Sequence, residues 1–342
     1  MFRIRAIQAE HGDALLVSYG NPDRPRHVLV DGGPAGTREA LLAVLKPLCV
    51  NGRLRLEALV VTHYDLDHIE GMIELLSDPP EWLDIADVWF NGYQHLRQAD
   101  RLGPSEGDAL SKLIRRRNLP WNHAFPDRGT IQQSCKEVIL EGKLQVRVLS
   151  PDALALKKLS EEWANPELPP TEPPAGPGDR LGRKDPWPPG DFSQLSKSKS
   201  RSDSSTPNGS SIALLLQFGD KRMLLAADAF AEVVKAGLAV HHSKQEPIDL
   251  LKVSHHGSKA NTDLDLLTSL RCSRFLISTS GKKYRHPDNE LIARLIAKGK
   301  HPEIFFNYDV PHTSRWRLKP EGWPSFKPLY PMAGEQFVEV SL

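Results

Sequence analysis

The chain has 342 residues, with 44 Lys and Arg against 43 Asp and Glu, a formal net charge of +1 and 39% apolar residues. That is a globular composition able to bury a sizeable core in one large or two ordinary domains, and it excludes a chain that coats nucleic acid by bulk charge. No apolar run approaches the ~18 residues that span a bilayer, and the opening MFRIRAIQAE alternates charged and apolar residues, so neither a membrane segment nor a signal peptide is expected.

Residues 2–8, 14–19 and 27–30 read as strands, the last two joined by the turn-forming Asn21-Pro22-Asp23. Asp31-Gly32-Gly33 breaks the third, and Leu41, Leu42, Leu45 and Leu48 give residues 38–48 helical spacing. Residues 56–61 form a short aliphatic run, predicted as a buried strand leading into a helix over 68–76. A strand at 88–90, a helix at 109–117 and a hairpin at 138–140 and 144–149 follow. Residues 165–210 carry ten of the 28 prolines and a Ser/Lys/Arg/Asp mixture without apolar period, which predicts a loop or flexible insertion. A hairpin over 211–218 and 222–227 resumes regular structure. Then come a helix at 230–240, a strand at 250–254, a helix at 263–270, a strand at 275–278, a helix at 289–298, and strands at 304–307 and 337–340. The order predicts one large α/β domain over 1–342, two ββα-like halves joined through the insertion.

The strongest chemical signal is Thr62-His63-Tyr64-Asp65-Leu66-Asp67-His68, where a buried strand runs into a helix. His63, Asp65 and Asp67 alternate along an extended segment and so share one side, and His68 opens the helix. Imidazole and carboxylate at that density suit Zn²⁺, Mn²⁺ or Fe rather than a thiolate site. The bland alternative is that these residues only cap the helix. Further donors are expected at other strand ends: Asp31 after 28–30, Asp228 after 223–227, His255-His256-Gly257-Ser258 after 250–254, and His286-Pro287 after 275–278. His95 and His123 follow no convincing strand and read as ordinary polar histidines. Cys49, Cys135 and Cys272 are far apart and odd in number, which suggests a reducing, cytoplasmic setting.

Taken together, these segments resemble the metallo-β-lactamase superfamily, and within it the hydrolase domain of the competence protein ComEC. The resemblance rests on His11-Gly12-Asp13-Ala14 with Val28 to Gly33, on Thr62 to His68, on Asn208-Gly209-Ser210-Ser211, on Ala227-Asp228-Ala229, on Leu251 to Ser258, and on Tyr284-Arg285-His286-Pro287. Asp65 stands where a second histidine is common, and Ala227 where glycine is. The resemblance implies an αββα sandwich with one or two divalent metal ions at one edge, zinc first, manganese or iron as alternatives. His63 and Asp65 would hold one metal, Asp67 and His68 the other, and Asp228 would bridge them. One of His255 and His256 would complete the set, His255 being the first choice.

The implied chemistry is metal-assisted hydrolysis, with Asp67 orienting the attacking water and His256 or His286 serving as proton donor or phosphate contact. Lys259, Lys282, Lys283 and Arg285 cluster beside them in sequence. The leading expectation is a phosphodiesterase or nuclease acting on nucleic acid. Alternatives are a hydrolase of small esters, lactones or phosphocholine, and a non-catalytic regulatory or binding subunit with a structural metal site and a protein partner.

Overall fold

A computed structural model describes residues 1–96, 105–164, 185–239 and 245–342. Two sheets dominate. The first runs in space Phe337–Ser341, Phe2–Ile7, Leu15–Asn21, Arg24–Val30, Leu54–Val60 and Leu83–Ile85, with Val88–Trp89 also paired to Leu54–Val60. It is antiparallel as far as Arg24–Val30 and parallel beyond. The second runs Lys327–Leu329, Glu303–Phe306, Arg274–Ile277, Leu250–Lys252, Lys221–Leu225, Ala213–Phe218, Gln145–Ser150 and Val138–Ile139. It is parallel as far as Lys221–Leu225 and antiparallel beyond.

The period of two along each strand sorts the core. Phe2, Ile4, Leu15, Val17, Val28, Val30, Ala58 and Val60 point into one cluster with Val146, Val148, Leu214, Leu216, Met223 and Leu225 of the other sheet. The alternate residues Leu16, Leu29 and Leu59 point outward, onto Leu41, Ile69, Met72 and Leu110 of the helices Arg38–Leu45, Leu66–Ser77 and Ser105–Arg116. On the far side Leu215, Leu224, Leu251 and Ile277 meet Val234, Leu266 and Leu291 of Ala231–Ala239, Leu264–Ser269 and Asn289–Gly299. The layers are helix, sheet, sheet, helix, the αββα sandwich that the motifs imply.

Several boundaries differ from the sequence reading for local reasons. The helix at 38 stops at Leu45, where Pro47 permits only a 3₁₀ turn over Lys46–Leu48. The helix predicted from 68 starts at Leu66. An unpredicted helix, Ala153–Ala164, buries Leu159 and Trp163. Of the proline-rich stretch, 165–184 lies outside the described residues, as does residue 240, the expected end of the helix Ala231–Ala239. The described remainder packs: Asp191 caps Phe192–Lys197 by accepting from the Gln194 amide, and Trp187 meets the edge of Trp316 at 5.0 Å between ring centroids. The buried Arg294 guanidinium donates to the Ser198 carbonyl and the Ser200 hydroxyl. Among the described residues no helix is long and apolar enough to cross a membrane.

In both sheets the parallel strands point their C-terminal ends toward one seam. Side chains that follow such ends are held in fixed positions by the sheet behind them, which is where open α/β sheets place their ligand sites.

Candidate metal centre

The segment 62–68 leaves the strand Leu54–Val60 and enters the helix Leu66–Ser77. Asp65 occupies the N-cap position, yet its side chain makes no capping hydrogen bond. Its carboxylate lies 3.5 Å from His63 Nε2 instead, so the cap explanation fails for this residue. Asp31 anchors the segment. One oxygen accepts from the Thr62 amide at 2.8 Å, the other from the Thr62 hydroxyl at 2.8 Å and from His68 Nδ1 at 2.9 Å.

Four imidazoles are held from behind in the same manner. His63 Nδ1 donates to the Thr62 hydroxyl oxygen (3.0 Å) and His68 Nδ1 to Asp31. His255 Nδ1 donates to Asn261 Oδ1 (2.9 Å) and His256 Nδ1 to the Ser278 carbonyl (3.1 Å). With each Nδ1 held by an oxygen acceptor, each Nε2 is the nitrogen that a cation would meet once it displaces the proton there, the arrangement that orients metal-binding histidines.

The spacing of the inward atoms is informative. His68 Nε2 lies 3.3 Å from His256 Nε2 and 3.4 Å from Asp228 Oδ2. His256 Nε2 lies 3.5 Å from Asp228 Oδ2 and 3.4 Å from Asp67 Oδ2. Four donors around a tetrahedral cation at about 2.0–2.1 Å stand about 3.3–3.4 Å apart. His68, Asp228 and His256 therefore have the dimensions of one face of such a shell, and Asp67 approaches it at His256. His255 Nε2 reaches the same Asp228 oxygen, at 3.7 Å, and the rings of His63 and His68 lie 4.2 Å apart. His63 Nε2 and Asp228 Oδ1 are buried without a hydrogen-bond partner, which costs free energy unless something else satisfies them. The donor set and these orphaned atoms fit a divalent cation.

Asp13 also offers an atom within 4.8 Å of the donors of His68, Asp228 and His256. It approaches His256 from the Nδ1 side, at 3.4 Å, and its other oxygen is engaged by the fully buried Lys252 ammonium. Asp13 thus closes the group of mutually near donors and also braces the His256 ring from its Nδ1 side, while Asp67 stands on the Nε2 side of that ring.

The electrostatics agree. Burial alone would raise the carboxyls of Asp67 and Asp228, but the imidazoles of His256 and His68 outweigh it and hold both below the usual range. Burial alone would lower His68, His255 and His256. Asp228 in every case, with Asp31, Asp203 and Asp13 respectively, raises them instead, His255 to about 9. Without a cation, protons balance the carboxylates; a divalent ion would replace them.

The structure thus gathers His63, Asp65, Asp67, His68, Asp228, His255 and His256 in one cluster. His286 lies at its margin, with its ring 5.7 Å from that of His255 and Nδ1 3.6 Å from Asp288. His95 and His123 line a separate cleft with Trp121 and Arg128. Asp13 and Lys252 were legible only as parts of motifs, and Asp203, 3.5 Å from His255 Nδ1, carried no signal. Asp31, Ala227, His255 and His256 all have positive φ, between +48° and +57°. Such strain in non-glycine residues, of order 1–3 kcal/mol each, concentrates where surrounding structure forces a side chain to one place.

No family model and no curated protein matches the chain. Among solved structures it is similar to the metallo-β-lactamase-fold protein YhfI from Bacillus subtilis, at 11% identity over the whole of both chains and a TM-score of 0.44. It is similar to Zn²⁺-bound PqqB from Methylobacterium extorquens, at 12% identity over 91% of this chain and 98% of that one, TM-score 0.45. Human tRNase Z, short form, aligns at 10% identity over 99% and 98%, TM-score 0.40.

Proposed function

We propose that the protein is a metal-dependent hydrolase of phosphodiesters, nucleic acid in particular. The observation that carries the reading is the triangle of His68 Nε2, His256 Nε2 and Asp228 Oδ2, spaced for one cation, with Asp67 Oδ2 3.4 Å from His256 Nε2. Asp67, His68, Asp228 and His256 would hold one ion, and His63, Asp65 and His255 would hold a second through the same aspartate. His256 rather than His255 is thereby proposed to complete the Asp67 and His68 set. When bound, such a cation supplies Lewis acidity toward a phosphoryl oxygen and makes water acidic enough to attack near neutral pH.

The chain's own residues do the rest. Asp67, on the open side of the cluster, orients the attacking water. His286 has Nδ1 turned to Asp288, which leaves Nε2 to protonate the departing oxygen. Burial opposes ionisation of Asp288, but His286 beside it keeps the carboxyl below its ordinary value, so a carboxylate stands beside the ring. The resemblance of the motif order to the ComEC hydrolase domain supports a nucleic-acid substrate.

Metal analysis of the purified protein, with assays on bis(p-nitrophenyl) phosphate and a single-stranded oligonucleotide, tests the reading. The expected result is bound divalent metal, cleavage abolished by chelation, and a loss of at least about a thousandfold in Asp67→Ala and His256→Ala. A metal-free protein without cleavage would overturn it. Turnover of lactones or thioesters in place of both phosphodiesters would move the substrate class.

A further inference from the structure

The loop after the strand Arg274–Ile277 is tied across the seam to residues 10–12. The Ser278 hydroxyl donates to the Gly12 carbonyl at 3.1 Å, the Ser280 amide to the Glu10 carbonyl at 2.6 Å, and Lys282 pairs with Glu10 at 3.1 Å. This seam carries a row of rings outward from the centre. Centroid separations are 5.8 Å from His256 to His255, 5.7 Å to His286, 6.5 Å to Tyr284 and 5.4 Å to His11. Lys283 closes the row, its ammonium 3.4 Å from His11 Nε2 and 4.9 Å above the Tyr284 ring.

The lysines of this region differ in their partners. Lys282 is balanced by Glu10 and Lys259 by Glu290. Lys283 makes no ion pair among the described residues. It is exposed, and its position is fixed by an imidazole and an aromatic face. A cation held beside the cluster without an ion-pair partner among the described residues is arranged to meet an incoming anion.

We propose that Lys283 and His11, backed by Tyr284, receive the phosphate next to the one being cleaved, so that the preferred substrate is a polynucleotide strand rather than an isolated diester. The inference rests on the phosphodiesterase reading and sharpens it. A small aryl diester has one phosphate and leaves this subsite empty; a strand fills both positions.

The test has two arms. In the first, kcat/KM is measured for a single-stranded oligonucleotide and for bis(p-nitrophenyl) phosphate, in wild type, Lys283→Met, Lys283→Arg and the control Lys298→Met. The ratio of the two substrates is expected to fall about tenfold in Lys283→Met, through KM for the strand, to recover largely in Lys283→Arg, and to stay at the wild-type value in the control. In the second arm, a labelled strand is titrated onto chelator-treated protein at several salt concentrations. Lys283→Met is expected to lower the slope of log affinity against log salt by about one. An unaltered ratio with an unaltered slope would overturn the subsite. A nucleoside diphosphate ester is assayed alongside, and a fall in its ratio to bis(p-nitrophenyl) phosphate equal to that for the strand would overturn the polymer assignment in favour of a diphosphate. If binding depends on Lys283 while no phosphodiester is cleaved, the hydrolase reading fails and the subsite stands; cleavage without dependence on Lys283 is the reverse.

Discussion

Asp31 makes three hydrogen bonds through two oxygens, and each partner belongs to the segment that presents His63 and His68. Asn at this position keeps the shape but offers one accepting atom, so either the Thr62 amide, or the Thr62 hydroxyl and His68 Nδ1 together, face an amide donor. Asp31→Asn is expected to weaken zinc binding about 10–100-fold in a chelator competition, with stoichiometry unchanged; lost stoichiometry would mean that Asp31 is itself a ligand. His27 offers a test independent of the centre. It is buried, 2.9 Å from the Ser18 hydroxyl, and burial, with Arg3 and Arg5 adding to it, lowers its pKa from 6.5 to about 4. The unfolded chain takes up this proton first, so stability is full above about pH 6.5 and declines as pH falls toward 4. The loss between pH 7 and pH 5 is about 2 kcal/mol. Urea midpoints at those two pH values should differ less in His27→Gln than in wild type, and equal differences would refute the assignment. Which donors converge was readable where they sit close in sequence, as in residues 62–68. The roles of His255 and His256 were not, because adjacent residues differ only through backbone angles that no local pattern announces. Asp203 was hidden because it comes from a stretch without periodicity.

Helices and strands with a clear apolar period were found from the sequence, and so was the order of the two halves. Leu83–Ile85 and Lys327–Leu329 were missed: three residues are too few to show alternation. What the sequence did not reveal is how closely the elements approach. The helix Leu66–Ser77 contains Gly71, whose amide donates to the Gly33 carbonyl at 2.9 Å. A Cβ on Gly71 would stand 2.0 Å from the Gly32 carbonyl oxygen. On propensity alone Gly71→Ala should stabilise the helix by about 1 kcal/mol. The clash is with backbone that cannot rotate away, and forced overpacking of this kind costs about 1–3 kcal/mol. The clash is expected to win. Gly71→Ala should lower the unfolding midpoint and shift the segment 62–68, and a more stable variant would contradict the close approach.

Across the molecule, the proposed ligands come from both sheets: residues 63–68 follow the first, and Asp228, His255 and His256 follow the second. A cation bound there would join the two halves, so its binding energy would add to global stability. At a free cation concentration a hundred times its Kd the gain is about 2.7 kcal/mol, or roughly 4 °C in the melting midpoint of a chain this size. Chelation should lower the midpoint by about that amount, and Asp228→Asn should abolish the difference between loaded and stripped protein. A midpoint indifferent to chelation in a protein shown to carry metal would place the ion elsewhere.

The pairing of Phe337–Ser341 along Arg3 to Ile7 has a consequence for synthesis. The strand Phe2–Ile7 leaves the ribosome almost the full length of the chain before its neighbour does. Until then the nascent sheet carries an open edge of unpaired backbone groups, a template for joining other chains. A polypeptide cut short before Phe337 would have every proposed ligand present and that border uncovered, and such a product should self-associate rather than remain dispersed.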